Sequence, residues 1–184
     1  MEYANMMMLD IIANQQQIPL PKYTLRALMK QILEGMRAFH SSGLIHRDVK
    51  CNNILLHSPP GSGRVHVKIS DFGLSKKENA ISEKIYVAGS QFDNDPIEKP
   101  PQLIDSILWD LLSQMLEFDV NKRITAAQAL QHPFFTSPEA IDDISTDQIK
   151  LAQSAIVADF EGDDNISEFD KDPSFVVAES VIKT

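Results

Sequence analysis

The amino-acid sequence predicts a mainly α fold with one small β-hairpin, followed by an acidic, flexible tail. Apolar residues recur at three- and four-residue spacing in two long segments, and they alternate with polar residues in a short segment between them. The tail is distinguished by composition, because the chain becomes acidic and poor in large apolar residues after Ser137.

The first long helix is predicted over Lys22–His40. Pro21 suits its first turn, and Gly43 supplies a stop just beyond its end. A second helix follows later, and then a short third one that is capped by Thr125 and ended by Pro133. The apolar stripes of the two long helices are Leu25, Leu28, Met29, Ile32, Leu33, Met36 and Phe39 in the first, and Leu103, Ile107, Leu108, Leu111, Leu112, Met115 and Leu116 in the second. We interpret the first stripe as core packing.

The hairpin is predicted between residues 53 and 69. An apolar run, Asn53–Leu56, precedes the turn-rich stretch His57–Gly63. Val65, Val67 and Ile69 then alternate with polar residues, which is the period-two pattern of a strand with one buried face.

The net charge of −9 arises in the C-terminal part of the chain. Residues 137–184 contain twelve Asp and Glu but three Lys, whereas acids and bases balance in residues 1–136. An acidic segment repels phosphates, so no nucleic-acid partner is expected. A helix is predicted from about Asp147 to Val157, and the rest of the tail is predicted to be disordered.

The remaining composition indicates an intracellular protein. No apolar run approaches the roughly 18 residues that cross a bilayer, so no membrane partner is expected. The apolar cluster Met6–Ile12 is interrupted by Asp10 and follows no basic residue, so it does not resemble a signal peptide. Cys51 is the single cysteine, which excludes an internal disulfide and indicates a reducing compartment, the cytoplasm or the nucleus.

Two short polar stretches flank the predicted hairpin: His-Arg-Asp-Val-Lys-Cys-Asn-Asn from position 46 and Asp-Phe-Gly from position 71. Antiparallel strands would bring Asn53, at the start of the first strand, close to Asp71, at the end of the second. Asp48 and Lys50 lie on the loop just before. An amide oxygen and a carboxylate suit Mg²⁺, a lysine can neutralise phosphate charge, and a second carboxylate can accept a proton from a hydroxyl. These residues predict a phosphate–magnesium site.

The pattern H-R-D-x-K-x-x-N followed by D-F-G resembles the catalytic and metal loops of eukaryotic protein kinases, and lysine at position 50 is similar to their serine/threonine class. The resemblance implies a partial kinase-like C-lobe that transfers the γ-phosphate of ATP to a protein substrate. It implies that Asp48 orients the substrate hydroxyl and accepts its proton, and that Lys50 contacts the γ-phosphate. Asn53 and Asp71 would hold Mg²⁺.

The resemblance covers roughly residues 1–136, which defines a predicted partial kinase domain, with 137–184 as the tail. The first four residues are similar to the hinge between the kinase lobes, which implies that Glu2 and Ala4 bind the adenine edge through their backbone. Leu55 would form the floor of the adenine pocket. The stretch Asn121–Phe135 resembles the closing helices of a kinase C-lobe.

Two departures from the family pattern predict a truncated domain. The resemblance begins at the hinge, so the Gly-rich loop, the β3 lysine and the αC glutamate have no counterpart. Ser90 is followed directly by residues typical of a late C-lobe helix, which predicts an internal deletion near residues 90–91. We therefore expect marginal stability and an exposed apolar patch or a loose core. Arg123, whose family partner lies in the missing segment, is expected to face solvent or another acid.

Three interpretations of function follow. The first is a protein serine/threonine kinase that uses ATP and Mg²⁺, with transfer slowed by orders of magnitude because part of the phosphate grip is missing. The second is a non-catalytic C-lobe remnant that acts as a protein-interaction module. The third is a coding sequence assembled without some exons, so that the natural protein is longer.

Overall fold

The fold is described from a computed structural model, in which the described residues are 4–5, 20–77, 98–117, 119 and 121–183. Glu2, predicted to bind adenine, and the predicted deletion near residues 90–91 lie outside these ranges.

Helices and short strands follow one another along the chain. In order they are α1 Lys22–Ser41, β1 Leu44–Ile45, β2 Ile54–His57, β3 Arg64–Ile69, β4 Lys76–Lys77, α2 Ser106–Met115, α3 Ala126–Ala129, α4 Pro133–Thr136, α5 Pro138–Asp142, α6 Thr146–Phe160, α7 Glu168–Lys171, β5 Val177–Ala178 and α8 Glu179–Ile182. The described part is mainly helical with small antiparallel sheets, as predicted. Within it, no helix combines the length and the apolar character that spanning a membrane requires.

Helix α1 joins two apolar clusters. Its first half places Ala27 and Leu28 against the hairpin residues Leu56 and Val65. Its second half contributes to a cluster made of Leu33, Met36, Leu111, Ala126, Ala129, Phe134 and Phe135. The helix ends where predicted, since Gly43 has φ of 68° and its backbone N–H donates to the carbonyl of His40 over 2.9 Å.

The predicted hairpin is confirmed and gains a third strand. Strands β2 and β3 pair antiparallel, with Ile54 opposite Ile69 and His57 opposite His66. Strand β5 pairs with the other edge of β3, with Val65 opposite Val177. The turn-proximal end of β3 is therefore covered on its outer edge by the C-terminal part of the chain.

Helix α2 buries its apolar stripe only in part. The Asp105 carboxylate caps it by accepting hydrogen bonds from the backbone N–H groups of Ile107 and Leu108, both 3.0 Å long. Leu111 is fully buried, whereas Ile107 and Leu116 of the predicted stripe are 41 % and 50 % exposed. Part of the predicted stripe is therefore left in contact with solvent.

The expectation of a disordered tail is wrong for residues 137–183, which form helices α5 to α8 and strand β5. Gln148 of α6 is buried and donates a 2.7 Å hydrogen bond to the carbonyl of Val176, and Ile182 joins the cluster around Leu28. The acidic composition suggested disorder, but part of this negative charge is neutralised by basic residues in the body of the chain. Asp170, for example, accepts a 3.0 Å hydrogen bond from Nε of buried Arg64. The predicted helix near residues 147–157 is α6.

Candidate active site

Asp48, Lys50 and Asn53 form a hydrogen-bonded group in the loop between β1 and β2. Lys50 Nζ donates to Asp48 Oδ2 over 2.8 Å, and the Asn53 amide donates to the same oxygen over 3.0 Å. Asn53 Nδ2 also donates to the backbone carbonyl of Asp48 over 2.9 Å. Asn53 is buried, while Lys50 is exposed, so the group has a fixed inner side and a solvent-facing cation.

His46 supports this loop from its buried side. It is fully buried, and its Nε2 lies 3.1 Å from the carbonyl oxygen of Ser70 while its Nδ1 accepts from the backbone N–H of Asp48 over 3.3 Å. A carbonyl can only accept, so both contacts require the tautomer with the proton on Nε2. His46 thus has the structural role of joining the loop to the end of β3. Arg47, next to it, adopts a left-handed φ of 70° and stays exposed.

The hairpin brings Asp71 to the same place. The backbone N–H of Ser70 donates to the carbonyl of Asn53 over 2.9 Å, which extends the β2–β3 ladder by one step. Asp71 follows with a left-handed φ of 62°, and its carboxylate accepts from the backbone N–H of Gly73 over 3.4 Å. A Cβ at position 73 would lie 3.2 Å from Asp71 Oδ1, so glycine lets the carboxylate fold back over this turn.

Phe72 anchors the turn after Asp71. Its ring stacks on Phe39 at 5.3 Å between centroids and tilts against His46 at 5.1 Å. Phe72 is nevertheless half exposed, so one side of the ring is in contact with solvent. Nothing in the sequence motifs indicated that Phe39 or Ser70 would support the site; the pairing register and the position of α1 place them there.

Electrostatics keep the loop group charged. The hydrogen bond from Lys50 is the main cause that lowers the pKa of Asp48, and Asn53 adds to it. The same bond raises the pKa of Lys50, and the nearby Asp71 charge contributes in the same direction. Asp48 is therefore an ionised acceptor and Lys50 a persistent cation at neutral pH.

The donor set fits a magnesium ion that is shared with phosphates. Both Nδ2 hydrogen bonds of Asn53 go to Asp48, and its Oδ1 accepts none among the described residues. Asp71 presents an exposed carboxylate one residue beyond the Asn53–Ser70 pair. No group of three or more His, Cys, Asp or Glu suited to a metal occurs in the described ranges. One amide and one carboxylate match the few protein ligands that Mg²⁺ takes when phosphates supply the rest.

The residues predicted to face adenine are only partly described. Asn5 holds the segment of Ala4 at the end of β2, because its amide donates to the Ser58 carbonyl over 2.7 Å and accepts from the Ser58 N–H over 2.9 Å. Leu55 is half-buried on β2 and lies opposite Lys68 in the ladder. Asn5, next to Ala4, is thus bound just beyond the strand that carries Leu55, while Glu2 lies outside the described residues.

Arg123 is exposed and donates from Nε to the backbone carbonyl of Glu117 over 2.8 Å. The expectation that it faces solvent is confirmed. A main-chain carbonyl satisfies part of the guanidinium while water solvates the rest, so no buried charge is left unpaired.

Comparison with known proteins gives consistent matches. The protein kinase domain model matches residues 1–92, half of the chain. A calcium/calmodulin-dependent protein kinase type 1 of Macrobrachium nipponense is 30 % identical over 176 residues, which include 67 % of this chain and 50 % of that protein. The serine/threonine-protein kinase/endoribonuclease IRE1 of Oryza sativa subsp. japonica is 27 % identical over 174 residues, which include 67 % of this chain and 19 % of that protein. This chain therefore spans half or less of the length of these relatives.

The fold has a counterpart among solved structures. The Rad53 kinase domain, in a crystal structure with SCD2 and AMPPNP, superposes with a TM-score of 0.52 at 23 % identity, and the match covers 73 % of this chain and 67 % of that one. At this identity the likeness shows the fold alone. Together with the match over residues 1–92 and the curated relatives, it establishes that the chain belongs to the protein kinase family.

Proposed function

We propose that this chain carries the phosphoryl-transfer site of a protein serine/threonine kinase, with ATP and a protein hydroxyl as substrates. The observation that carries the proposal is the hydrogen-bonded group of Asp48, Lys50 and Asn53 beside Asp71. Structural packing alone would not require an ionised carboxylate, a cation and a free amide oxygen to converge on a solvent-facing loop.

Each residue of the group has a role that follows from its chemistry. Asp48 is ionised, so it can orient a substrate hydroxyl and accept its proton. Lys50 remains charged and can neutralise the γ-phosphate. Asn53 and Asp71 would hold Mg²⁺, which supplies charge neutralisation to the phosphates when bound. The backbone of Glu2 and Ala4, with the side chain of Leu55, would receive the adenine.

We also propose that the kinase-derived part ends near residue 136 and contains a deletion near residues 90–91. The alignments with the two curated relatives support a deletion. They run over 174 and 176 residues but include only 67 % of the 184 residues of this chain, so part of each relative faces residues that this chain lacks. The match to the protein kinase domain also ends at residue 92.

A transfer assay with labelled ATP tests the proposed activity. The full chain is expected to label a general protein substrate slowly, on serine and threonine but not on tyrosine. Asp48→Asn should lower the rate by about a hundredfold or more, because the proton acceptor is lost.

The matched control is Cys51→Ser in the same loop, whose exposed side chain has no role in the site. Its rate should equal that of the unmodified chain. Equal rates for the unmodified chain and Asp48→Asn would reject catalysis here and favour the alternative, a non-catalytic C-lobe that acts as a protein-interaction module.

A further inference from the structure

We propose that helix α6 carries a docking surface for a basic amphipathic helix of a partner protein. The surface is an exposed apolar stripe made of Ile149, Ile156 and Phe160, which are 40 %, 50 % and 92 % exposed. Single exposed apolar residues are ordinary, but three on one face of one helix are not explained by chance exposure.

The stripe lies on α6 beside the face that the core covers, and its residues remain exposed to solvent. Its residues are separated by seven and four positions, which places them on one line along the helix. The buried residues of the same helix, Ala152 and Ala155, lie about a quarter turn to one side of this line. From Ile149 to Phe160 the stripe is about 16 Å long, which matches roughly three turns of a partner helix. The stripe therefore extends the apolar face of α6 beyond the part that the core covers.

The charges around the stripe determine which partner fits. Phe160 is followed by Glu161, Asp163 and Asp164, all exposed, and Glu161 and Asp164 have no ion pair among the described residues. These acids stand at the C-terminal end of α6, where the helix dipole adds negative potential. A partner that combines an apolar face with Lys or Arg would satisfy both features. A second copy of this chain would bring like charges together, which disfavours self-association through this face.

Fluorescence anisotropy with a designed peptide tests the proposal. The probe is a labelled Leu/Lys peptide of about 15 residues with its leucines at three- and four-residue spacing, which makes it amphipathic as a helix. We expect it to bind the full chain, and to bind more weakly as salt rises from about 0.05 to 0.5 M, because the acids at the end of α6 contribute. A peptide of the same composition in scrambled order should bind at least about tenfold more weakly.

The variants separate this stripe from other exposed apolar residues. The double change Ile156→Gln with Phe160→Gln should weaken binding at least about tenfold, since it removes the apolar contact. Ile141→Gln is the matched control, because Ile141 is 59 % exposed, close to the 50 % of Ile156, but lies on α5. It should leave binding unchanged, and circular dichroism should show that each variant keeps the helix content of the unmodified chain.

Three results would overturn the proposal. The first is equal binding of the ordered and scrambled peptides, which would indicate charge attraction alone. The second is binding that survives the double change while Ile141→Gln behaves identically. The third is a concentration-dependent dimer in sedimentation that the double change abolishes, which would assign the stripe to a second copy of this chain.

Discussion

At the scale of single residues, the donors around Asp48 fix both its charge and its direction. Both Lys50 and Asn53 donate to Oδ2, and Oδ1 accepts no hydrogen bond among the described residues. One oxygen is thus committed to the loop, while the other remains available to a hydroxyl. The buried His46 below it holds the backbone, so the orientation of the carboxylate depends on packing as well as on charge.

Replacing the cation tests the assignment of charges. Lys50→Met should raise the pKa of Asp48 towards its ordinary value, because the Lys50 hydrogen bond is the main cause that lowers it. The measurement is an NMR titration of the Asp carboxyl carbons. Lys122→Met, which removes an exposed partner of Asp119, is the control and should leave Asp48 unchanged. An unchanged pKa of Asp48 in Lys50→Met would contradict the hydrogen bond from Lys50 Nζ to Asp48 Oδ2.

Asp170 is expected to contribute to the acid dependence of stability. Burial raises the pKa of its carboxyl, but hydrogen bonds from His66 and Ser167 outweigh this effect and hold the pKa well below its usual range. The folded pKa is thus lower than the unfolded value of about 3.9, so Asp170 stabilises the fold above about pH 4. That contribution is lost as pH falls further, because the unfolded chain then binds more protons.

Asp170→Asn should therefore reduce the loss of unfolding free energy at acid pH, measured by urea unfolding between about pH 2 and 7. It should also cost about 3 kcal/mol at neutral pH, because Arg64 loses its buried partner. Asp164→Asn, at an exposed position of the same segment, should change neither quantity. A parallel loss of stability with pH in Asp170→Asn and the unmodified chain would show that other carboxyls dominate.

Sequence patterns indicated which polar residues lie together in this loop region better than they indicated the residues that support them. Asp48, Lys50 and Asn53 carry polar chemistry at a diagnostic spacing, and strand alternation placed Asp71 nearby. The contribution of Phe39 could not be predicted, because an apolar residue on a helical stripe gives no sign of which ring it will contact. The need for glycine at position 73 could likewise not be predicted, because it depends on where the Asp71 carboxylate lies in the folded chain.

At the scale of elements, helix α6 depends on one buried amide. Gln148 donates to the Val176 carbonyl, and its Oε1 accepts from the backbone N–H of Ser145 over 3.0 Å, which completes a capping box. It therefore connects the start of α6 to the segment that leads into β5.

Gln148→Ala should destabilise the fold by about 2 kcal/mol, since it leaves a buried carbonyl without its donor and weakens the cap. Thermal and urea unfolding measure the change. Gln153→Ala on the exposed face of the same helix is the control and should fall within about 0.5 kcal/mol of the unmodified chain. Equal effects of the two changes would mean that α6 does not depend on the Val176 contact.

The elements differ in how far sequence could predict them. Helix α1 and the β2–β3 hairpin follow from local periodicity, so both were predictable. Strand β5 was not, because Val177 pairs with Val65 across more than a hundred residues and a two-residue strand has no periodicity to read. Composition alone made the acidic segment resemble a disordered tail, although Arg64 binds its Asp170 at a sequence separation of 106.

At the scale of the whole molecule, the C-terminal segment completes the core. Val177 and Ile182 belong to the same apolar cluster as Leu28, Leu56 and Val65, and Gln31 of α1 donates to the carbonyl of Phe175 over 2.7 Å. The segment thus occupies surface on the hairpin and on α1 that would otherwise be exposed.

A chain that ends at residue 136 should therefore lose cooperative unfolding and bind a hydrophobic dye before heating. If residues 137–184 were disordered, their removal should change neither the unfolding transition nor the dye binding. Ending the chain at Ile182 is the control and should leave the melt unaltered, because Lys183 is exposed. Calorimetry with dye fluorescence measures both. A sharp transition without dye binding in the 136-residue chain would contradict the proposed role of the C-terminal segment.

We propose that Asp48, Lys50, Asn53 and Asp71 form a site for Mg²⁺ and ATP, and a melting curve of the full chain is the most decisive test of this proposal. Mg-ATP at a hundred times its dissociation constant should stabilise the full chain by about 2.7 kcal/mol, whereas ATP with a chelator should stabilise it less. Asp71→Asn should melt like the unmodified chain without ligand, since Asp71 is exposed, but should lose the response to Mg-ATP. A melt that is indifferent to Mg-ATP, or an equal response in Asp71→Asn, would contradict the claim.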